Sequence, residues 1–126
     1  MKKNIDFIFL VPARKGSKRV KNKNFKKLDN LSLVEHTFKF IKENFDTKIY
    51  FTTDYVLSES TKKKYNIELI NRPKKLCTST AKPIDVILHA LDQIKKTSVQ
   101  VIIFLQPTVP FRKVKILKKA MNFFKI

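Results

Sequence analysis

Apolar positions along this chain fall into two alternating kinds of block. Ile5–Val11, Lys48–Thr53, Ile67–Asn71 and Val99–Leu105 are short, largely apolar or β-branched runs bounded by polar or turn residues. Runs of this length and composition predict buried strands. Between them apolar residues return at helical spacing. Leu33, Val34, Thr37, Phe38, Ile41 and Phe45 predict a helix from about Ser32 to Asn44, and a shorter polar helix is predicted over Val56–Tyr65. Arg72–Lys82 reads as a loop. Pro83 suits the first turn of the next helix, whose stripe is Ile84, Ile87, Leu88, Leu91 and Ile94. Val114, Leu117, Ala120, Met121 and Phe124 mark a terminal helix.

Strands alternating with helices of this size predict βαβ units and a parallel sheet covered on both faces. Right-handed crossovers then limit the topology, and ligands of such parallel sheets bind beyond the carboxyl ends of the strands, which share one edge. The loops at that edge are Pro12–Asn24, Thr53-Asp54, Asn71–Lys82 and Gln106–Arg112, and each is polar or cationic. No internal repeat or low-complexity linker divides the chain, so one domain over residues 1–126 is expected.

The first of these loops carries the chain's single glycine, in Pro12-Ala13-Arg14-Lys15-Gly16-Ser17-Lys18-Arg19. It matches neither the P-loop nor the dinucleotide fingerprint. Phosphate there has to be held by side chains and a few amides. Arg14 can fork two oxygens of one phosphate, and Lys18 and Lys23 can neutralise charge growing on a departing pyrophosphate. Asn24 offers a donor and an acceptor suited to a sugar hydroxyl or base edge.

Charge widens the choice before narrowing it. Against 10 acidic residues stand 28 cations, a net charge of +18, which attracts nucleic acid, anionic membrane or phosphorylated small molecules. Only four of the 28 are arginine, and lysine lacks the fork that reads bases. Solvated faces of a lysine-biased composition account for much of this excess equally well. Cys77 is alone, which excludes an intrachain disulfide and a multi-cysteine zinc site and suits a reducing compartment. His36 and His89 fall in predicted helices with no third ligand spaced for zinc, and the phenylalanines Phe7, Phe9, Phe38, Phe51 and Phe104 read as core. No run approaches membrane-spanning length, and Phe7–Val11 is too short for a signal peptide, so a cytoplasmic protein is expected.

Taken in order, five segments resemble the acylneuraminate cytidylyltransferases, the CMP-sialic acid synthetases. They are Pro12–Arg19 with Lys21–Asn24, Leu33–Thr37, Phe51–Asp54, Arg72–Leu76 with Thr80–Leu91, and Leu105–Arg112. The resemblance implies a three-layer α/β/α Rossmann-like nucleotidyltransferase fold, with a mainly parallel sheet reduced to about four strands. It implies transfer of a cytidylyl group from CTP to a sialic-type sugar acid, with Mg²⁺ bridging the phosphates. Carried over by position, Arg14, Lys18 and Lys23 match triphosphate contacts with a catalytic part. Ala13, Gly16, Ser17, Asn24 and Arg72 match nucleotide-binding positions, and Gln106 matches the sugar side of the cleft.

Departures accompany the likeness. Ser79 stands where these enzymes commonly have an acid, Pro83 stands near a nucleotide-contacting serine, and Asp54 lacks a following acid. Family members run beyond the position of Ile126, with a dimerisation segment and a pair of aspartates that hold the metal. The chain is therefore expected to be the nucleotide-binding N-terminal portion, incomplete at its C-terminus, with no metal ligand of its own assigned. Asp54 and Asp85 read as structural. A homodimer is the family's state but lacks its segment here, and neither membrane nor specific nucleic acid is an expected partner. The competing reading is a basic nucleotide- or RNA-binding module without turnover.

Overall fold

The computed structural model describes residues 7–14, 27–28, 31–94, 101–107 and 113–123. In chain order they form β1 (Phe7–Ala13), β2 (Lys27–Leu28), β3 (Leu31–Ser32), α1 (Leu33–Phe45), β4 (Ile49–Thr53), α2 (Glu59–Tyr65), β5 (Ile67–Asn71), a 3-10 turn (Lys74–Leu76), α3 (Pro83–Gln93), β6 (Val101–Phe104) and α4 (Val114–Phe123). The main sheet is parallel, in the order β5-β4-β1-β6, and β2 pairs with β3 as a separate antiparallel ladder. The alternation predicted from sequence is therefore present, with β1 at the inside of the sheet.

Helices cover both faces. On one, Phe38 and Ile41 of α1, Tyr65 of α2, and Leu117 and Met121 of α4 pack on Phe9, Val11, Ile49, Phe51 and Ile103. Phe38 meets Phe51 edge-on, with ring centroids 5.0 Å apart. On the other, Ala90 and Ile94 pack with Ile8, Leu10, Tyr50 and Ile70. A fully buried side chain of this size contributes about 1.5–3 kcal/mol relative to its exposed state.

Helix ends follow from local chemistry. Ser32 caps α1, its hydroxyl accepting from Glu35 N–H at 3.2 Å and donating to the Glu35 carboxylate at 3.4 Å. Ser58 caps α2 in the same way, accepting from Thr61 N–H. That cap starts α2 at Glu59, later than the expected Val56, whose side chain is 91% exposed. Asp46 and Asn66 end α1 and α2 in the left-handed region, where short polar side chains are tolerated.

Two expectations are corrected. β1 does not stop before Pro12; it runs through to Ala13. The β1–β6 ladder ends at Leu10 opposite Phe104, and the Leu10 carbonyl accepts from Leu105 N–H at 3.0 Å. Two residues on, Pro12 turns its donorless nitrogen toward the same side, where no further rung is needed. The second correction concerns α3. Of the expected stripe, Ile94 is buried and Ile87 packs on the core, but Val86 and Ala90 take the buried positions further up the helix, and Ile84 and Leu88 are 55% and 56% exposed.

Candidate functional site

Because the sheet is parallel, β1, β4, β5 and β6 all end at one edge, and a cavity of about 150 Å³ opens there. It is lined by Pro12, Ala13 and Arg14 after β1, by Arg72 after β5, by Ala81, Pro83 and Val86 around the start of α3, and by Phe104, Gln106 and Pro107 after β6. This is the crevice between β1 and β6, where chain order reverses direction across the sheet.

Of the residues singled out from sequence, Ala13, Arg14, Arg72 and Gln106 are brought together on this one cavity. Gly16, Ser17, Lys18, Lys23 and Asn24 lie outside the described residues. The start of α3 also belongs to the lining, which the sequence reading did not include. Pro83 and Val86 at its start line the cavity, which puts the positive end of the helix there.

Register sets the electrostatics of the wall. Ala13 pairs with Thr53, and Thr53 pairs with Asn71, so β1, β4 and β5 finish in one row. The next residues are Arg14, Asp54 and Arg72, in that spatial order. An acid thus stands between two cations. Arg72 is anchored on its own loop: its backbone N–H donates to the Thr53 carbonyl at 3.0 Å, and its Nε donates to the Leu76 carbonyl at 2.7 Å. Burial lowers its pKa, Cys77 and Asp54 oppose that shift, and the like charge of Arg14 adds to it.

Cys77 closes the same turn. Its thiol faces the Pro73 carbonyl at 3.3 Å and the Arg72 carbonyl at 3.6 Å. Burial raises the thiol's pKa, and the neighbouring Asp54 carboxylate, which accepts a hydrogen bond from it, raises it further against the pull of Arg72 and Arg14. Tyr55 is raised by burial and by Asp54 in turn. The site therefore centres on two guanidiniums around one acid, a construction suited to gripping an oxyanion.

Among the described residues no group of three or more His, Cys, Asp or Glu side chains is arranged to hold a metal ion. Mg²⁺ favours carboxylate and phosphate oxygens, and the wall offers Asp54 flanked by cations. The described residues do not fit a protein-held Mg²⁺. No helix among them is long and apolar enough to cross a membrane.

In comparisons with known proteins, the family model for cytidylyltransferase matches residues 8–125. An N-acylneuraminate cytidylyltransferase of Escherichia coli O18:K1:H7 (strain RS218 / NMEC) is 33% identical over 106 residues, covering 83% of this chain and 25% of the relative. A CMP-N,N'-diacetyllegionaminic acid synthase of Legionella pneumophila subsp. pneumophila (strain Philadelphia 1 / ATCC 33152 / DSM 7513) is 28% identical over 121 residues, 93% of this chain and 52% of the relative. Among solved structures, a CMP:2-keto-3-deoxy-manno-octonic acid synthetase complexed with CTP superposes with a TM-score of 0.71 at 15% identity, over 92% of this chain and 46% of that one. A cytidylyltransferase from Leptospira borgpetersenii serovar Hardjo-bovis (strain JB197) gives 0.69 at 18% identity, over 95% and 49%. The E. coli and Legionella relatives are matched over 25% and 52% of their own lengths. At these identities the two structures speak for the fold.

Proposed function

The chain belongs to the cytidylyltransferase family, and from that premise we propose that the cleft binds CTP and forms the nucleotide half of a site that transfers CMP to a sialic-type sugar acid. In the proposed reaction an acceptor hydroxyl oxygen attacks the α-phosphorus. The bond from that phosphorus to the bridging oxygen breaks, pyrophosphate leaves with the electron pair, and the hydroxyl proton passes to solvent. Catalysis of this kind is positioning plus stabilisation of charge on the phosphates.

Arg14 forks phosphate oxygens at the end of β1, and Lys18 and Lys23 neutralise the leaving pyrophosphate. Ala13, Gly16, Ser17 and Asn24 line the nucleotide from the first loop, Arg72 holds it from the opposite wall, and Gln106 faces the acceptor. The start of α3 adds a favourable field for an anion. Because the described residues make no Mg²⁺ site, no step is assigned to a protein-held metal. A cytoplasmic setting completes the reading, since a lone cysteine calls for no oxidising compartment.

The observation that carries the proposal is the convergence of Arg14, Arg72 and Gln106, from three separate strand ends, on one cavity at the switch point. The test is titration of CTP against ATP, GTP and a random RNA at rising salt. Selective CTP binding with a shallow salt slope supports the nucleotide site. Binding without base preference, and with a steep slope, identifies a general polyanion surface instead.

A further inference from the structure

Asp54 has no part in the reading above, yet register places it at the centre of the wall. It leaves β4 between the strands that carry Arg14 and Arg72, because Ala13, Thr53 and Asn71 are paired across β1, β4 and β5. It bears electrostatically on Arg72, on Tyr55 and on the Cys77 thiol, from which it accepts a hydrogen bond. Arg72 itself is half-buried and has one nitrogen fixed on Leu76, which leaves its terminal nitrogens for a ligand and for the acid beside it. Two guanidiniums lining one small cavity repel each other. A carboxylate at the strand end between them offsets that repulsion.

We infer that Asp54 is a positioning residue of the nucleotide site, holding Arg72 against the cleft wall in the orientation that meets the phosphates. The inference rests on the proposed CTP site. It runs against the simplest electrostatic expectation, and that makes it testable. By field alone, removing a negative charge from a site for a polyanion tightens binding. By positioning, removal weakens it, and only while Arg72 is present.

The experiment is a double-mutant cycle on the full chain, read as the dissociation constant for CTP, with cooperative thermal unfolding used to verify that each variant is folded. Asp54→Asn is expected to weaken CTP binding about threefold to tenfold. In the Arg72→Ala background the same change is expected to alter affinity by less than about twofold. Asp54→Glu, which keeps the charge, is expected to recover most of the loss. Affinity unchanged or improved in Asp54→Asn, or an equal loss in both backgrounds, overturns the positioning role while leaving the CTP site standing. If instead the parent fails to bind CTP, or Arg72→Ala binds as well as the parent, the proposed site itself falls, and the inference with it.

Discussion

The Nε of Arg72 donates at 2.7 Å to the carbonyl of Leu76, four residues along its own loop. The bond lies within the segment after β5 that carries the 3-10 turn, and Arg72 lines the cavity. Lysine has no second donor set with which to hold the carbonyl and a phosphate at once. Arg72→Lys is therefore expected to lose about as much CTP affinity as Arg72→Ala, roughly tenfold for a charge-assisted contact. Calorimetric titration of both variants checks this, and near-parental binding by the lysine variant contradicts it.

Arg14 follows the end of β1 and lines the same cavity. Its value lies in forking two oxygens of one phosphate from the end of β1. Arg14→Ala is expected to weaken CTP about tenfold or more while shifting the melting temperature little, because the residue sits at the strand end and outside both core clusters. Paired titration and thermal scans separate the two effects.

Alkaline pH should expose the Cys77 thiol as a linked proton. Burial, then Asp54, raise its pKa in the folded chain, so the folded state holds this proton more tightly than the unfolded one. The stability gained is complete below the unfolded thiol's pKa of about 8.5, and it is lost as pH rises through the higher folded value. Tyr55 behaves in the same sense from about pH 10 upward. Melting curves of parent and Cys77→Ser between pH 7.5 and 10 should converge or cross as pH rises, the parent falling more steeply. Parallel curves contradict the shift. In Asp54→Asn the alkylation of Cys77, the sole cysteine, should reach its midpoint at lower pH than in the parent, because one cause of the elevation is gone.

Thr52 offers a prediction about the core beneath the site. It is fully buried on β4, and its hydroxyl makes no hydrogen bond among the described residues. A buried hydroxyl without a partner costs stability. Thr52→Val is nearly the same shape and is expected to be neutral or stabilising by up to about 1 kcal/mol. A loss larger than that, measured by denaturant unfolding, reveals a partner for the hydroxyl.

How much of this was legible in the sequence depended on the range of the physics involved. All four strands of the parallel sheet were readable, because short apolar runs between polar loops have few alternatives. So was the convergence of Ala13, Arg14, Arg72 and Gln106, since parallel strands share one carboxyl edge. The sheet-facing side of α3 was legible only in part: Ile87 and Ile94 pack on the core as expected, while Val86 and Ala90 are buried in place of Ile84 and Leu88, because apolar residues occupy more than one side of this helix. Pro12 looked like a terminator because the missing rung beside it is a property of β6. The β2–β3 ladder was missed because two-residue strands leave no periodicity to read. Asp54 was read as structural for a related reason: its place between two arginines is set by register between distant strands, which no local pattern records.

The central claim is that cations at the carboxyl edge of this sheet hold the phosphates of a cytosine nucleotide, and a crystal of the chain soaked in CTP tests it most directly. The account predicts density in the crevice between β1 and β6, with phosphate oxygens within about 3 Å of the Arg14 and Arg72 guanidiniums. Density on another face, or a nucleotide in the crevice with both arginines turned away from it, contradicts it.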